Sequence, residues 1–151
     1  MTTITETLRD DHERLEELFD ELAYAVDGAD SATIQRVWSR FEHALMAHLD
    51  AEERHLMPAI ERGHADDVRR TRAEHESIRR LVQELGVRAD IHTLRKEVAD
   101  ELITTLRRHA DWEEETVYRW ADESGGAALL HAIIAVLKGQ RPISREARGP
   151  D

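Results

Sequence analysis

Four long stretches of this chain repeat apolar residues in steps of three and four, a spacing that gathers them on one face of a helix and requires something to bury that face against. The first runs from about residue 4 to 27 through Leu8, Leu15, Phe19, Leu22 and Val26, and Thr3 and Glu6 have capping-box spacing at its start. Gly28 interrupts the pattern, and Ser31 is the expected N-cap of the second helix, about 32 to 62, with a bend near Pro58 because proline lacks a backbone donor. The third covers about 66 to 85 through Val68, Ile78, Val82 and Leu85, with Gly86 as its expected stop. The fourth, capped by Asp90, reads from about 91 to 122 through Leu94, Val98, Leu102, Leu106, Val117 and Trp120, and "SGG" at 124–126 ends it.

Short connections between four long helices predict an all-α, antiparallel up-down-up-down four-helix bundle. A short fifth helix, "AALLHAIIAVLK", is apolar nearly all round, so the bundle or a partner, such as a second copy in a homodimer, should cover it. The tail from residue 140 has no core-forming pattern, which divides the chain into one domain over residues 1–139 and a flexible segment over 140–151. A length of 151 residues suits one domain with a real core.

The formal charge of -11 argues against nucleic acid and against an anionic membrane surface as partners. No apolar run approaches a membrane span, and "MTTITETLRDDHERL" lacks the basic start and apolar core of a signal peptide, so the expected location is cytoplasmic. With no cysteine, disulfides, thiolate ligands and cysteine nucleophiles are excluded. Nine histidines are many for this length.

Several of those histidines stand where the core should be. On the second helix the stripe reads Phe41, Leu45, His48, Glu52, Leu56, and on the fourth Leu102, Leu106, His109, Glu113, Val117. The first reads Leu8, His12, Leu15, Phe19, Leu22, and the third Val68, Thr71, His75, Ile78, Val82, Leu85. His-x-x-x-Glu spacing alone is weak: it also occurs at His12 and Glu16, and about one such pair is expected by chance in so acidic a chain. Register is the stronger signal, because all four helices bring a histidine to the inward stripe and two add a glutamate. An unpaired buried polar group costs about 1–3 kcal/mol and a lone buried carboxylate far more. Six such groups need compensation, and four imidazoles with two carboxylates around one interior point make a site for a pair of metal ions.

Imidazole and carboxylate without thiolate suit iron, manganese or zinc. Structural zinc takes four ligands, often with cysteine, and fits six residues on four helices poorly. A bundle core with bridging carboxylates therefore points to di-iron or di-manganese chemistry. The ferritin-like site needs Glu-x-x-His on two helices, but Glu61 with His64 spans a predicted turn at Gly63, and Glu52 with His55 lies on the second predicted helix alone.

His12, "HLDAE" at 48–52, "EHE" around His75 and "HADWE" at 109–113 together resemble the haemerythrin-like, HHE cation-binding family, and "DAEERHLMP" is similar to that family's second helix. The likeness spans about residues 4 to 122. It implies a non-haem di-iron centre, two iron ions with a bridging oxo or hydroxo group, whose ligands are His12, His48, Glu52, His75, His109 and Glu113. By the same resemblance Glu52 and Glu113 bridge, His12 and His48 serve one iron, and His75 and His109 serve the other. The implied function is binding of, or reaction with, a small oxidant (O2, peroxide or NO), with catalase- or peroxidase-like turnover left open. The chain departs from the oxygen-carrying haemerythrins in having Thr71 and Arg79 where a second histidine would flank His75, and Glu113 at four residues from His109 in place of Asp at five. With one imidazole fewer and a bridging oxygen present, the implied ligand set leaves an open position on each iron, which permits redox turnover as well as reversible binding and weakens the case for a dedicated oxygen carrier.

Glu53 and Glu114 stand either as acceptors for ligand imidazoles or on a solvated helix edge. Glu16, His43, His55, His64, His92 and His131 are expected off the site, the three tryptophans are expected in packing, and Tyr24 and Tyr118 have no assigned place. An alternative function is a sensor or iron-handling protein acting through a partner surface, for which the fifth helix is the support. A helical scaffold without metal is the third reading.

Overall fold

The structure, a computed structural model, describes residues 2–90 and 94–139, with only the backbone of Asp90. The expected Asp90 cap, the helix start at 91, His92 and the tail from 140 lie outside the described residues. Every regular element among the described residues is helical: α1 (Ile4–Gly28), α2 (Ser31–Ala51), a π-helical turn (Glu52–Leu56), α3 (Met57–Ile60), α4 (Ala65–Asp90), α5 (Lys96–Glu115), α6 (Val117–Ser124) and α7 (Ala127–Gly139). None is long and apolar enough to cross a membrane.

The start of α1 is held twice. Thr3 Oγ1 accepts from the Glu6 amide at 3.0 Å, and the Thr3 amide donates to Glu6 Oε2 at 3.1 Å, which completes the expected capping box. From the far end of the chain, Asp122 on α6 accepts from the amides of Ile4 at 2.8 Å and Thr5 at 3.2 Å. The carboxylate satisfies donors that the helix cannot and sits at the positive end of its dipole.

Asp30, rather than Ser31, caps α2, its carboxylate accepting from the Thr33 amide at 2.7 Å. A charged acceptor outcompetes the hydroxyl there, and Ser31 becomes the first helical residue. Gly86 does not stop α4, which runs on to Asp90. Gly86 packs against the Trp38 indole inside a continuous helix, where an added methyl would make ordinary contact with Nε1 at 3.4 Å.

The second and fourth predicted helices are each interrupted just beyond their inward glutamate. Beginning at Glu52, five residues form a π turn, closed where the Met57 amide reaches back to the Glu52 carbonyl. Pro58 follows directly, and its missing N–H leaves the Arg54 carbonyl without its regular helical donor. After Glu113, α5 ends at Thr116, whose backbone at φ -125°, ψ -73° leaves the helical region. The Thr116 hydroxyl donates to the Trp112 carbonyl at 2.5 Å, an intrahelical bond that competes with the regular ladder.

α1 packs on α2 and α5, and α4 packs on the same two helices. Their buried residues form two separate apolar clusters. The larger gathers Leu15, Phe19, Phe41, Leu45, Ile78, Leu85, Leu102 and their neighbours. The smaller gathers Leu8, Leu56, Met57, Ile60, Val68, Val117, Tyr118 and Ile133. α7 lies across α2 and the π turn, burying Ile133 fully and Leu129, Leu130, Val136 and Leu137 in part. It buries one face rather than its whole circumference.

Asp122→Ala should cost about 1–2 kcal/mol by removing the cap on α1. A thermal melt should then fall by a few degrees, about 2–4 °C for each kcal/mol at this chain length, with helical content retained.

Candidate metal centre

Between the two apolar clusters lies a polar layer. His48, Glu52, His75, His109 and Glu113 are buried, and His12 is nearly so, its side chain 11% exposed. The structure thus brings together all six residues singled out from the sequence. Ligand atoms of Glu52, His75, His109 and Glu113 lie within 4.8 Å of one another, and so do those of His12, His48 and Glu113. Glu113 belongs to both groups. Glu52 also reaches both, with Oε1 at 2.7 Å from His48 Nε2 and 3.9 Å from His75 Nε2.

These atoms are close without being paired. His109 Nε2 is 3.0 Å from Glu113 Oε1, and His75 Nε2 is 3.6 Å from Glu113 Oε2. Yet both Glu52 oxygens, Glu113 Oε2, both His75 nitrogens and His109 Nε2 are buried with no hydrogen-bond partner among the described residues. Donors and acceptors aim at common points rather than at each other, as atoms that share cations do. Native proteins rarely leave so many buried polar atoms unsatisfied in one place. The donor set, imidazole nitrogen and carboxylate oxygen, fits metal cations.

Each imidazole turns Nε2 inward and Nδ1 toward a carboxylate on a neighbouring helix. His48 Nδ1 donates to Asp11 at 2.7 Å, and His109 Nδ1 to Glu74 at 3.1 Å. His12 Nδ1 lies 3.5 Å from Glu114, and His75 Nδ1 3.9 Å from Glu53. The four contacts close a cycle: α1 supports α2, the π turn after α2 supports α4, α4 supports α5, and α5 supports α1. Arginines hold the outer carboxylates in turn. Arg9 pairs with Glu114 at 2.7 Å, Arg70 with Glu74 at 2.8 Å, and Arg79 with Glu53, while Asp11, against the opposing effect of burial, is lowered by His48 and then by the charge of Arg14. Carboxylates behind metal-binding imidazoles fix tautomer and ring orientation.

Glu53 and Glu114 therefore face imidazoles whose Nδ1 atoms have no hydrogen-bond partner among the described residues. Asp11 and Glu74 are the acceptors that do hydrogen-bond an imidazole, and both escaped the sequence reading. The available signal was an acid beside each inward residue, in "DH" at 11–12, "EE" at 52–53, "EH" at 74–75 and "EE" at 113–114. Tyr118 was also missed as a site residue. It is fully buried, with its hydroxyl 2.9 Å from His12 Nε2, 3.2 Å from His48 Nε2 and 3.2 Å from Glu113 Oε1. Thr71 contributes no ligand atom, because its hydroxyl is spent on the Asp67 carbonyl at 2.8 Å. Glu16 pairs with Arg107 at the surface, His64 stacks on Trp120 at 4.2 Å, and Tyr24 is exposed.

Burial alone would depress the imidazole pKa values, but the carboxylates overcome it. His48 is raised well above its ordinary value by Glu52 and Asp11, and His75 is raised to about 9 through Glu113 and Glu53. Glu53 is held at about 2 by His75 and Arg79 against the opposing effect of burial. Burial and the Glu113 charge raise Glu52, whereas Glu113, despite its burial, is held well below the usual range chiefly by the charge of His109. Burial, then the charges of Glu113 and Glu52, keeps the Tyr118 phenol protonated far above its ordinary range.

Without metal, the raised His75 pKa stabilises the fold fully below about pH 6.5, where the unfolded imidazole is also charged. That contribution disappears as pH climbs through about 9. Urea unfolding of chelator-treated protein should therefore show stability declining across this window, and a flat profile would contradict the assignment.

Neither a curated protein nor a solved structure gives a significant match to this chain. The Hemerythrin HHE cation binding domain, by contrast, matches residues 3–121, a span that includes all six inward residues, Tyr118 and the four supporting carboxylates. The chain belongs to the haemerythrin HHE cation-binding family.

Proposed function

We propose that this chain is a non-haem di-iron protein that binds or reacts with a small oxidant, O2, peroxide or NO, inside an antiparallel up-down-up-down bundle of α1, α2, α4 and α5. The observation that carries this reading is the pair of ligand groups sharing Glu113. Two sets joined by a carboxylate match two ions joined by a bridge, whereas a single structural zinc needs only four ligands. His12 and His48 would hold one ion and His75 and His109 the other, with Glu52 and Glu113 shared between them. Among metals suited to nitrogen and oxygen donors, iron combines this ligand set with accessible redox change.

When bound, iron supplies the electrons or the binding position for the oxidant. The protein's own part is orientation, exclusion of water and proton placement. Outer carboxylates keep each Nε2 directed inward, and the two apolar clusters wall off solvent from either side. Tyr118 holds a proton at its hydroxyl, within hydrogen-bond distance of His12, His48 and Glu113.

Protein produced with iron and purified without chelator should contain about two irons per chain by elemental analysis. Changing His48 and Glu52 together to Leu should abolish that content. Well-folded wild-type protein that takes up no metal would sink the proposal.

A second reading, metal sensing through a surface, draws on the packing of α7 against the π turn that begins at Glu52. If metal occupancy is transmitted there, limited proteolysis should cut near Gly125–Gly126 faster without iron than with it. Identical cleavage patterns would count against sensing.

A further inference from the structure

A cavity of about 290 Å³ opens off the centre between α1, α2 and α5. His12, His48, His109 and Glu113 border its inner end, and Leu15, Phe19, Leu45, Leu49 and Leu106 form its walls. An oxidant of two or three atoms, with a volume near the roughly 30 Å³ of a water molecule, would leave most of this space empty. An apolar cavity of about half the size accepts a benzene ring.

We propose that this cavity is a binding chamber for a neutral, apolar organic molecule of about ten non-hydrogen atoms, entered between α1 and α5 beside Ala110. Two ion pairs frame the entrance, and both tie α1 to α5. Arg9 meets Glu114 at 2.7 Å on one side, and Arg107 grips Glu16 through two contacts of 2.7 Å on the other. Along each helix the two pairs are separated by about two turns. Ala110 lies between them on α5 and offers only a methyl group, while His12, the most exposed of the six inward residues, lies between them on α1.

The same features define the guest. Both arginines at the entrance are already neutralised by carboxylates, and Glu13 and Asp111, which form no ion pair among the described residues, add negative charge to the rim, which disfavours an anion. Apolar walls penalise a buried cation. A neutral hydrocarbon-like group is what remains, and it would rest against His12 and His48 at the inner end. The significance of this neighbour rests on the metal centre proposed above, but the binding itself does not.

The test uses full-length protein prepared with iron, with metal content measured beforehand. Indole, neutral and of the right size, is titrated calorimetrically, with benzoate as the anionic comparison. We expect a single class of indole site, benzoate weaker by about tenfold or more, and a similar loss of indole affinity in Ala110→Phe with metal content unchanged. Ala110→Leu carries the same expectation if the larger side chain unfolds the protein. No saturable indole binding, or binding that neither variant weakens, overturns the chamber even in protein holding two irons. Normal indole binding in protein without iron supports the chamber and overturns the metal reading alone.

Discussion

Glu52 and Glu113 lose all contact with solvent at mid-bundle, where an isolated ionised carboxylate would cost far more than the whole margin of stability of a small domain. Their placement is tolerable only because four imidazoles surround them. The outer acids do not provide relief, since Asp11, Glu53, Glu74 and Glu114 each have an arginine nearby. The charge of the inner pair is left for cations: protons on the imidazoles when metal is absent, metal ions when it is present. The rest of the layer, including the raised imidazole pKa values, follows from that balance.

The supporting cycle explains how a site drawn from four helices keeps its geometry. No helix orients its own imidazole; each ring faces an acid from the helix beside it, by a hydrogen bond at His48 and His109 and by charge at His12 and His75. Rotating one helix therefore disturbs two ring orientations at once, its own and its neighbour's. Because the acids reach solvent at their outer edges and carry arginines, this aiming is obtained without burying further charge.

How much was legible in the sequence followed from regularity. The six inward residues could be found because His48, Glu52, His109 and Glu113 fall in phase with long apolar stripes, and phase survives folding wherever a helix stays regular. Tyr118 was not found because it lies past Thr116, where α5 breaks and counting by fours loses its meaning. The second helix was expected to bend at Pro58, but the irregularity begins six residues earlier, at Glu52. Asp11 and Glu74 were missed for another reason: each acts on a different helix from its own, and one-dimensional periodicity carries no information about neighbours. Gly86 and Ser31 misled because a glycine and a serine each have two uses, and only packing or a competing carboxylate decides between them.

The π turn fits one more residue into its loop than a regular helical turn holds, which changes the phase of everything after it by about 100°. Phe41 and Leu45 upstream face one apolar cluster, whereas Leu56, Met57 and Ile60 downstream face the other and meet α6 and α7. Glu52 is thus a hinge of phase between two halves of the molecule. Evolution can lengthen the turn around Gly63, where an added side chain would meet nothing within 4 Å, at little cost. Losing a single residue between Glu52 and Leu56 would be different: the helix would become regular, and its far half would point at the wrong partners. Chain length at that one place is a constraint as strict as residue identity.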